Sequence, residues 1–543
     1  MKGQTWDQRK PSNPGRQKIK IWARAKLDSR SGRCEQATGA RMKRLFGTWQ
    51  LVVFLLLTAA VAAKADNRTN WSSLDQYINS SMKDWKVPGA SVAIVRDGAV
   101  VYMKGFGVRD IRTNQPVTAD TLFDIGSCTK AFTAAAAAIL VDEGKMQWDG
   151  KVNTYIPFFH LRDPLADENV TIRDLLTHRT GLPGIDFLWY VNPRASREEL
   201  IRKLAYVQPN AGFRAKFEYQ NLMYVAAGYA VGQVAHSTWD EFTQSRLFAP
   251  LGMTESDTSA GEAQKAADHA TPHEQNPDGS VKAIPWRDID SVGPAGSINS
   301  SARDMAKWIT FQLGDGTYEG KRLISAQNMR EMHAPQMLLE LDGEIPKVFF
   351  PDSMQLSYGL GWFVQDYRGH QLILHAGDID GFATMVVLIP EIHAGYFAVI
   401  NEGSLYRQVL SYQIADQLLH LPDAGWSERF KKMQVKFQAE EKAGEAWQSK
   451  RTPGTHPSRD LAAYAGQYQN PIYGDAEIRS QNGKLTFHLQ TIDSDLEHFQ
   501  YDTFIAKIRR QMRLTFNLDA EGNVSELTLA GIAFKRSAPA PAK

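Results

Sequence analysis

The residues with the most chemical promise sit in "FDIGSCTKAF", positions 123–132. Ser127 and Lys130 are three apart there. If a helix starts at this point, positions i and i+3 share a face, and the lysine stands beside the hydroxyl. A serine hydroxyl is a weak nucleophile until a base takes its proton. A lysine desolvated against an apolar core, or crowded by another cation, can be neutral enough to be that base. The exposed N–H groups and partial positive charge of a helix N-terminus suit a developing oxyanion. The competing reading is plain. Serine is a favoured helix cap, and S-x-x-K arises by chance in long chains. On these ten residues alone, both readings stand.

Two later stretches bear on the choice. "FRAKFEYQNLMY" holds Tyr219-Gln220-Asn221 just ahead of a helical run, and "LILHAGDIDGF" holds His375-Ala376-Gly377 late in the chain. Singly, each reads as readily as structure: a half-buried tyrosine, a histidine at a strand end. Taken together, in the order S-x-x-K, Y-x-N, H-x-G, they are specific.

The elements that must position them follow a simple order. "ASVAIVRDGAVVYMKGFGVRD" (90–110) gives two β-rich runs joined by Arg96-Asp97-Gly98, a hairpin signal. "AFTAAAAAILVDEGK" (131–145) has strong helix propensity and little charge, as a buried helix would. "TIRDLLTHRTGLPG" (171–184) reads as a short helix ended by Gly181 and Pro183, and 221–253 as two helices. The stretch 301–316 is a further helix capped by Ser300 or Ser301. The runs 356–367, 371–391 and 395–403 are β-rich, and 405–420 is a closing helix. The pattern predicts an α+β fold: one antiparallel sheet made from both ends of the chain, flanked by helices, with an all-helical subdomain between.

The charge distribution narrows the function. Residues 1–65 carry 14 Lys/Arg and 3 Asp/Glu, leaving the rest of the chain with 48 and 57, a charge of −9. So acidic a body offers no basic surface to a phosphate backbone, and no nucleic-acid partner is expected. "MKRLFGTWQLVVFLLLTAAVAAKAD" from Met42 has a basic start, an apolar run of 13 residues and an A-x-A close. It reads as a signal peptide over 42–65, too short for a bilayer span, and predicts a periplasmic or secreted protein that meets the membrane only in transit. Residues 1–41 are then expected to be a mispredicted or disordered extension, with Met42 the true start. Of the two cysteines, Cys34 and Cys128, only Cys128 would remain, so no disulfide is expected. Cys128 reads as a small buried hydrophobe.

Other chemistries fit poorly. No G-x-S-x-G surrounds Ser127 or Ser297, which argues against an α/β-hydrolase elbow. His269 and His273 are four apart but lie in the polar stretch "DHATPHEQNPDG", where solvated loop histidines are expected. His178 reads as structural. No metal or cofactor is expected.

The ordered motifs resemble the serine β-lactamase and penicillin-binding superfamily, on the class C β-lactamase-like branch that includes D-peptidases and esterases. The resemblance covers about residues 75–420 and extends to flanking phrases such as "VPGASVAIVRDG", "VTIRDLLTHRTGLPG", "GPAGSINSSARDMAKW" and "YGLGW". It implies a β-lactamase/transpeptidase-like domain over 66–424. Ser127 would form an acyl-enzyme, and Lys130 and Tyr219 would share the acid–base work, either being the base. Asn221 would bind a substrate amide. His375, with Gly377, would line the pocket from an edge strand. The oxyanion would be held by the backbone N–H groups of Ser127 and Asp378. Most β-lactamases of this type carry lysine where this chain has His375, and D-peptidases of the superfamily carry histidine. That shifts the expected substrates towards short D-amino-acid peptides or amides, with esters or slow β-lactam hydrolysis as the alternative. A non-catalytic penicillin-binding or sensor relative is the rival of another class, although such relatives lose the Ser, Lys or Tyr.

A charged helical linker is expected over 425–458, closed by the turn-rich "RTPGTHPSRD". Short alternating strands with an Asn482-Gly483 turn then predict a small all-β barrel over 459–543. Its "YAGQYQN" and strand spacing resemble the lipocalin-like domain of some D-peptidases.

Overall fold

The computed structural model describes residues 71–276, 278–508 and 511–537. The expected leader, Cys34 and Met42 lie outside them.

A nine-stranded sheet organises the first part of the molecule. Its spatial order is Met337–Leu338, Ser353–Tyr358, Phe363–Tyr367, His370–Ile379, Phe382–Ile389, Ala394–Ile400, Gly89–Arg96, Ala99–Asp110 and Gln115–Pro116. Every neighbouring pair is antiparallel. The early and late strands of this part meet where Ala90 pairs with Ile400 and Val92 with Ala398. The 96–99 hairpin turns through Asp97 (φ 51°) and Gly98 (φ 74°), two left-handed residues as a tight two-residue turn requires.

The central strands are apolar throughout because both faces are covered. In Phe382–Ile389 and Ala394–Ile400 every residue is buried. Val92, Ile94, Met385 and Tyr396 face one core with Ile78 and Leu410. Their alternates Ala93, Val95, Val386 and Phe397 face the other, with Phe132 and Trp308. A strand with one wet face would alternate polar and apolar residues, and these do not. Trp71–Trp85 and Tyr406–Leu418 cover the first face, and Ala302–Leu313 and the alanine-rich helix Thr129–Asp142 lie on the second. Ser301 caps Ala302–Leu313, its side chain accepting from Asp304 N. Helices recur throughout 129–333, with small two-stranded ribbons among them.

Three local expectations change. The helix in 171–184 runs only from Ile172 to Leu176, because His178 already takes a left-handed backbone (φ 54°). The stretch around His273 is not a solvated loop. His273–Gln275 pairs with Val281–Ala283, and His273 is fully buried, with Nδ1 3.0 Å from Asn401 O. The expected linker begins inside the folded body. Trp426 and Phe430, on the helix Trp426–Glu445, are buried against Tyr367 and Tyr412.

Eight antiparallel strands from Gly466 to Arg536 then form a closed barrel, sealed where Tyr468 pairs with Arg536. Closure leaves the barrel no free edge. Phe487, Leu514, Phe516, Leu527 and Phe534 are among the buried residues that fill it. No helix among the described residues is long and apolar enough to cross a membrane.

Candidate active site

Ser127 sits in a single 3-10 turn, Gly126–Cys128, that runs directly into the helix Thr129–Asp142. The capping position of that helix is Cys128, and no side chain caps it. The Ser127 hydroxyl is therefore not spent on a cap. It accepts a hydrogen bond from Lys130 Nζ at 2.9 Å. Gly126 makes the turn possible: its φ is 51°, and its N–H donates to the buried Asp124 at 2.7 Å.

Lys130 is completely buried. Its ammonium also donates to Asn221 Oδ1 and to Ala295 O, both at 2.8 Å. Three acceptors saturate its three donors. It lies 4.8 Å from the centre of the Tyr219 ring. Burial pulls Lys130 down to about 7, against an opposing pull from the Asp186 carboxylate. No second cation is needed to depress it. Tyr219 lies within hydrogen-bonding reach of Ser127, and burial pushes its phenol well above the usual value.

The helix Asn221–Ala235 carries Asn221 at its start. Asn221 Nδ2 donates to Asp186 Oδ1 at 2.9 Å, so the amide bridges Lys130 and Asp186. Between Tyr219 and Asn221, the Gln220 N–H donates to His178 Nδ1 at 3.1 Å. The His178 ring packs on Tyr219, centroids 4.3 Å apart. His178 thus holds the Y-x-N turn, which bears out its structural reading.

His375 does not lie on an edge strand. Three strands, from 337 to 367, lie beyond His370–Ile379, because the chain before it adds them to that side of the sheet. His375 is almost wholly buried; Nε2 lies 2.9 Å from Tyr358 Oη and Nδ1 2.6 Å from Ala376 O. Burial, helped by the charge of Lys130, takes it down to about 3. It is a neutral imidazole in the cleft wall.

The strand after His375 presses against the nucleophile turn. A Cβ on Gly377 would fall 1.9 Å from Ile125 O and 3.2 Å from Ser127 N. A Cβ on Gly126 would fall 2.8 Å from Asp378 N. Two glycines let the Ser127 and Asp378 amides come together. The sequence reading missed the residue that fixes this approach. Arg407, buried at the start of the closing helix, donates to Gly377 O at 2.8 Å and pairs with Asp378 at 2.6 Å. A basic residue within an apolar helical run was its one visible sign. Cys128 is buried as expected, with Sγ 3.2 Å from His375 O.

These groups open onto a cleft of about 650 Å³. Ser127, Tyr219, His375 and Arg407 line its polar end, and Met337, Leu338, Phe349 and Phe350 its apolar end. Among the described residues, no cluster of His, Cys, Asp or Glu could hold a metal.

A buried lysine hydrogen-bonded to a serine, at the start of a helix beside an antiparallel sheet, defines a serine hydrolase of the β-lactamase/transpeptidase type. The chain belongs to the Beta-lactamase family, whose model matches residues 74–419. A second model, described as a domain of unknown function (DUF3471), matches residues 450–539 and so covers the barrel. The unguisins hydrolase of Aspergillus campestris is 30% identical over 74% of this chain and 76% of its own. The octameric penicillin-binding protein homologue of Pyrococcus abyssi shares the fold, with a TM-score of 0.58 at 22% identity over 86% of this chain and 99% of its own. The D-amino acid amidase of Ochrobactrum anthropi SV3 superposes with a TM-score of 0.52 at 25% identity, covering 64% of this chain and 98% of its own.

Proposed function

We propose that this protein is an exported hydrolase that forms an acyl-enzyme at Ser127 on short D-amino-acid peptides or amides. The observation that carries the chemistry is the buried Lys130 ammonium 2.9 Å from Ser127 Oγ, depressed to about 7. Near neutral pH a large share of Lys130 is unprotonated and can accept the serine proton as Oγ attacks the carbonyl carbon. The new C–O bond pushes the carbonyl electrons onto oxygen, where the Ser127 and Asp378 N–H groups stabilise them. Tyr219, kept protonated by burial, is suited to protonate the leaving nitrogen, and Lys130 to return the proton to Tyr219. Water then attacks the ester by the reverse proton route. Asn221 orients Lys130, and its amide is engaged on both sides before substrate arrives.

Two observations support neutral amides over carboxylate-bearing β-lactams. His375 is uncharged and offers no cation to a substrate carboxylate. One structural relative is a D-amino acid amidase. The apolar end of the cleft favours an esterase as the second reading. Substrate profiling separates them. D-alanyl amides should turn over well ahead of nitrocefin and of their L counterparts. Efficient nitrocefin hydrolysis, with amides and p-nitrophenyl esters inert, would reverse the assignment. Export rests on the 42–65 leader, and N-terminal sequencing of the secreted chain tests it. A product beginning upstream of Met42 would refute it.

A further inference from the structure

The barrel is remote in sequence from the motifs, yet it grips the segment that carries Asp186. Thr491 N donates to Val191 O at 3.2 Å, and Thr491 Oγ1 donates to the same carbonyl at 2.8 Å. The Tyr473 ring packs against Phe187, centroids 5.7 Å apart. Lys203 Nζ donates to Pro471 O at 3.1 Å. The gripped element is the five-residue helix Phe187–Val191, and Asp186 is the residue that opens it.

Asp186 matters because an amide has two ends. Asn221 must turn its oxygen to the Lys130 ammonium, and a flipped amide would point its own N–H groups at a cation. Asp186 Oδ1 accepts from Asn221 Nδ2 and also from Trp189 Nε1, each at 2.9 Å. That pair of bonds fixes which way round the amide sits. The carboxylate's field reaches Lys130 and Tyr219 on one side and the barrel's Tyr473 on the other.

We propose that the C-terminal barrel is a brace for the catalytic lysine: by clamping Phe187–Val191 it holds Asp186 in place, and Asp186 holds the Asn221 amide that aims Lys130 at Ser127. Tyr473 and Asp186 are positioning residues, since neither touches the reacting atoms. The proposal rests on the Ser127 acyl-enzyme reading above. It gives the barrel a role within the reaction that does not depend on its binding a ligand of its own.

The test uses the full chain, with acylation by a fluorophosphonate probe and turnover of a p-nitrophenyl ester. Tyr473→Ala and Asp186→Ala should each lower kcat about tenfold, below the ~10²-fold cost of a 1 Å misplacement, with KM nearly unchanged. Tyr473→Phe keeps the ring on Phe187 and should restore the rate. Asp186→Asn keeps an acceptor for Asn221 and should retain most of kcat. Like Asp186→Ala, it should move the acidic limb of the rate profile to lower pH, because the carboxylate raises Lys130. The double variant Tyr473→Ala/Asp186→Ala should lose no more than Asp186→Ala alone. Hydrogen exchange at 187–191 should quicken in Tyr473→Ala. Faster exchange with an unchanged kcat, or losses that multiply in the double variant, would overturn the brace. If Tyr473→Ala does not fold, Thr491→Val carries the same test with an expected loss of about threefold, and a wild-type rate there would overturn it. Ser127→Ala separates the two levels. Undiminished labelling of Ser127→Ala removes the acyl-enzyme reading, whereas a dead Ser127→Ala beside a fully active Tyr473→Ala removes only the brace.

Discussion

The two ends of the cleft are built from opposite materials. At the polar end, Lys130 and His375 are buried, hydrogen-bonded and carried on a helix and a strand, and the half-buried Tyr219 directly precedes the helix Asn221–Ala235. At the apolar end, Leu338 is 66% exposed and stands on a two-residue strand, with Phe349 and Phe350 half-buried nearby. One end can hold a proton donor and acceptor to fractions of an ångström, and the other can do little more than shed water against a substrate. The contrast assigns rate to the first and selectivity to the second.

The comparison can be broken at several points. The largest effect belongs to Ser127→Ala, which should abolish fluorophosphonate labelling and cut turnover by about 10³-fold or more. Labelling that survives would place the nucleophile elsewhere. Lys130→Ala and Tyr219→Phe should each cost about 10² or more in kcat. A near-full rate in either would remove its role. The pH profile should be next in size. On the proposed mechanism neutral Lys130 is the reactive form, so kcat/KM should climb as pH rises through about 7. Tyr219 stays protonated past its ordinary range, so no falling limb should follow before about pH 10. His375, at about 3, should add no inflection between about pH 5 and 8. A profile that declines through neutrality would contradict a lysine base. The smallest effects belong to the apolar end. Leu338→Ser should raise KM for aryl esters by about threefold while kcat holds, as the loss of a partly exposed side chain would. A fall in kcat with KM unchanged would mean that the exposed wall also positions the reacting groups.

The polar end was largely legible in the sequence, and the apolar end was not. S-x-x-K and Y-x-N lie at helix starts and H-x-G within one strand, and their spacing survives translation into three dimensions. The sheet built from both ends of the hydrolase domain was visible because its central strands are largely apolar runs, and the barrel because Asn482-Gly483 marks a tight turn. What stayed hidden depends on pairing across long separations. Nothing around 337–350 has a periodicity that places it opposite Ser127. Arg407 and Asp186 gain meaning only from groups dozens to hundreds of residues away. His273 sits amid polar neighbours, and its burial follows from a bond to Asn401, 128 positions on. Of the three strands outside His375, two fall in the β-rich run 356–367 and Met337–Leu338 gives no local signal; their order in the sheet does not follow from local pattern.

The sheet's margins carry a last consequence. One border is the two-residue strand Met337–Leu338, and the other is Gln115–Pro116, where a proline denies a donor to any incoming strand. The barrel, being closed, has no border at all. These borders and the barrel offer little template to a foreign β-strand, but Gln115–Pro116 covers the long strand Ala99–Asp110 only at Val108 and Asp110. Strand-to-strand association of the native state should therefore begin along the remaining flank of that strand, beside the exposed Val100 and Val101.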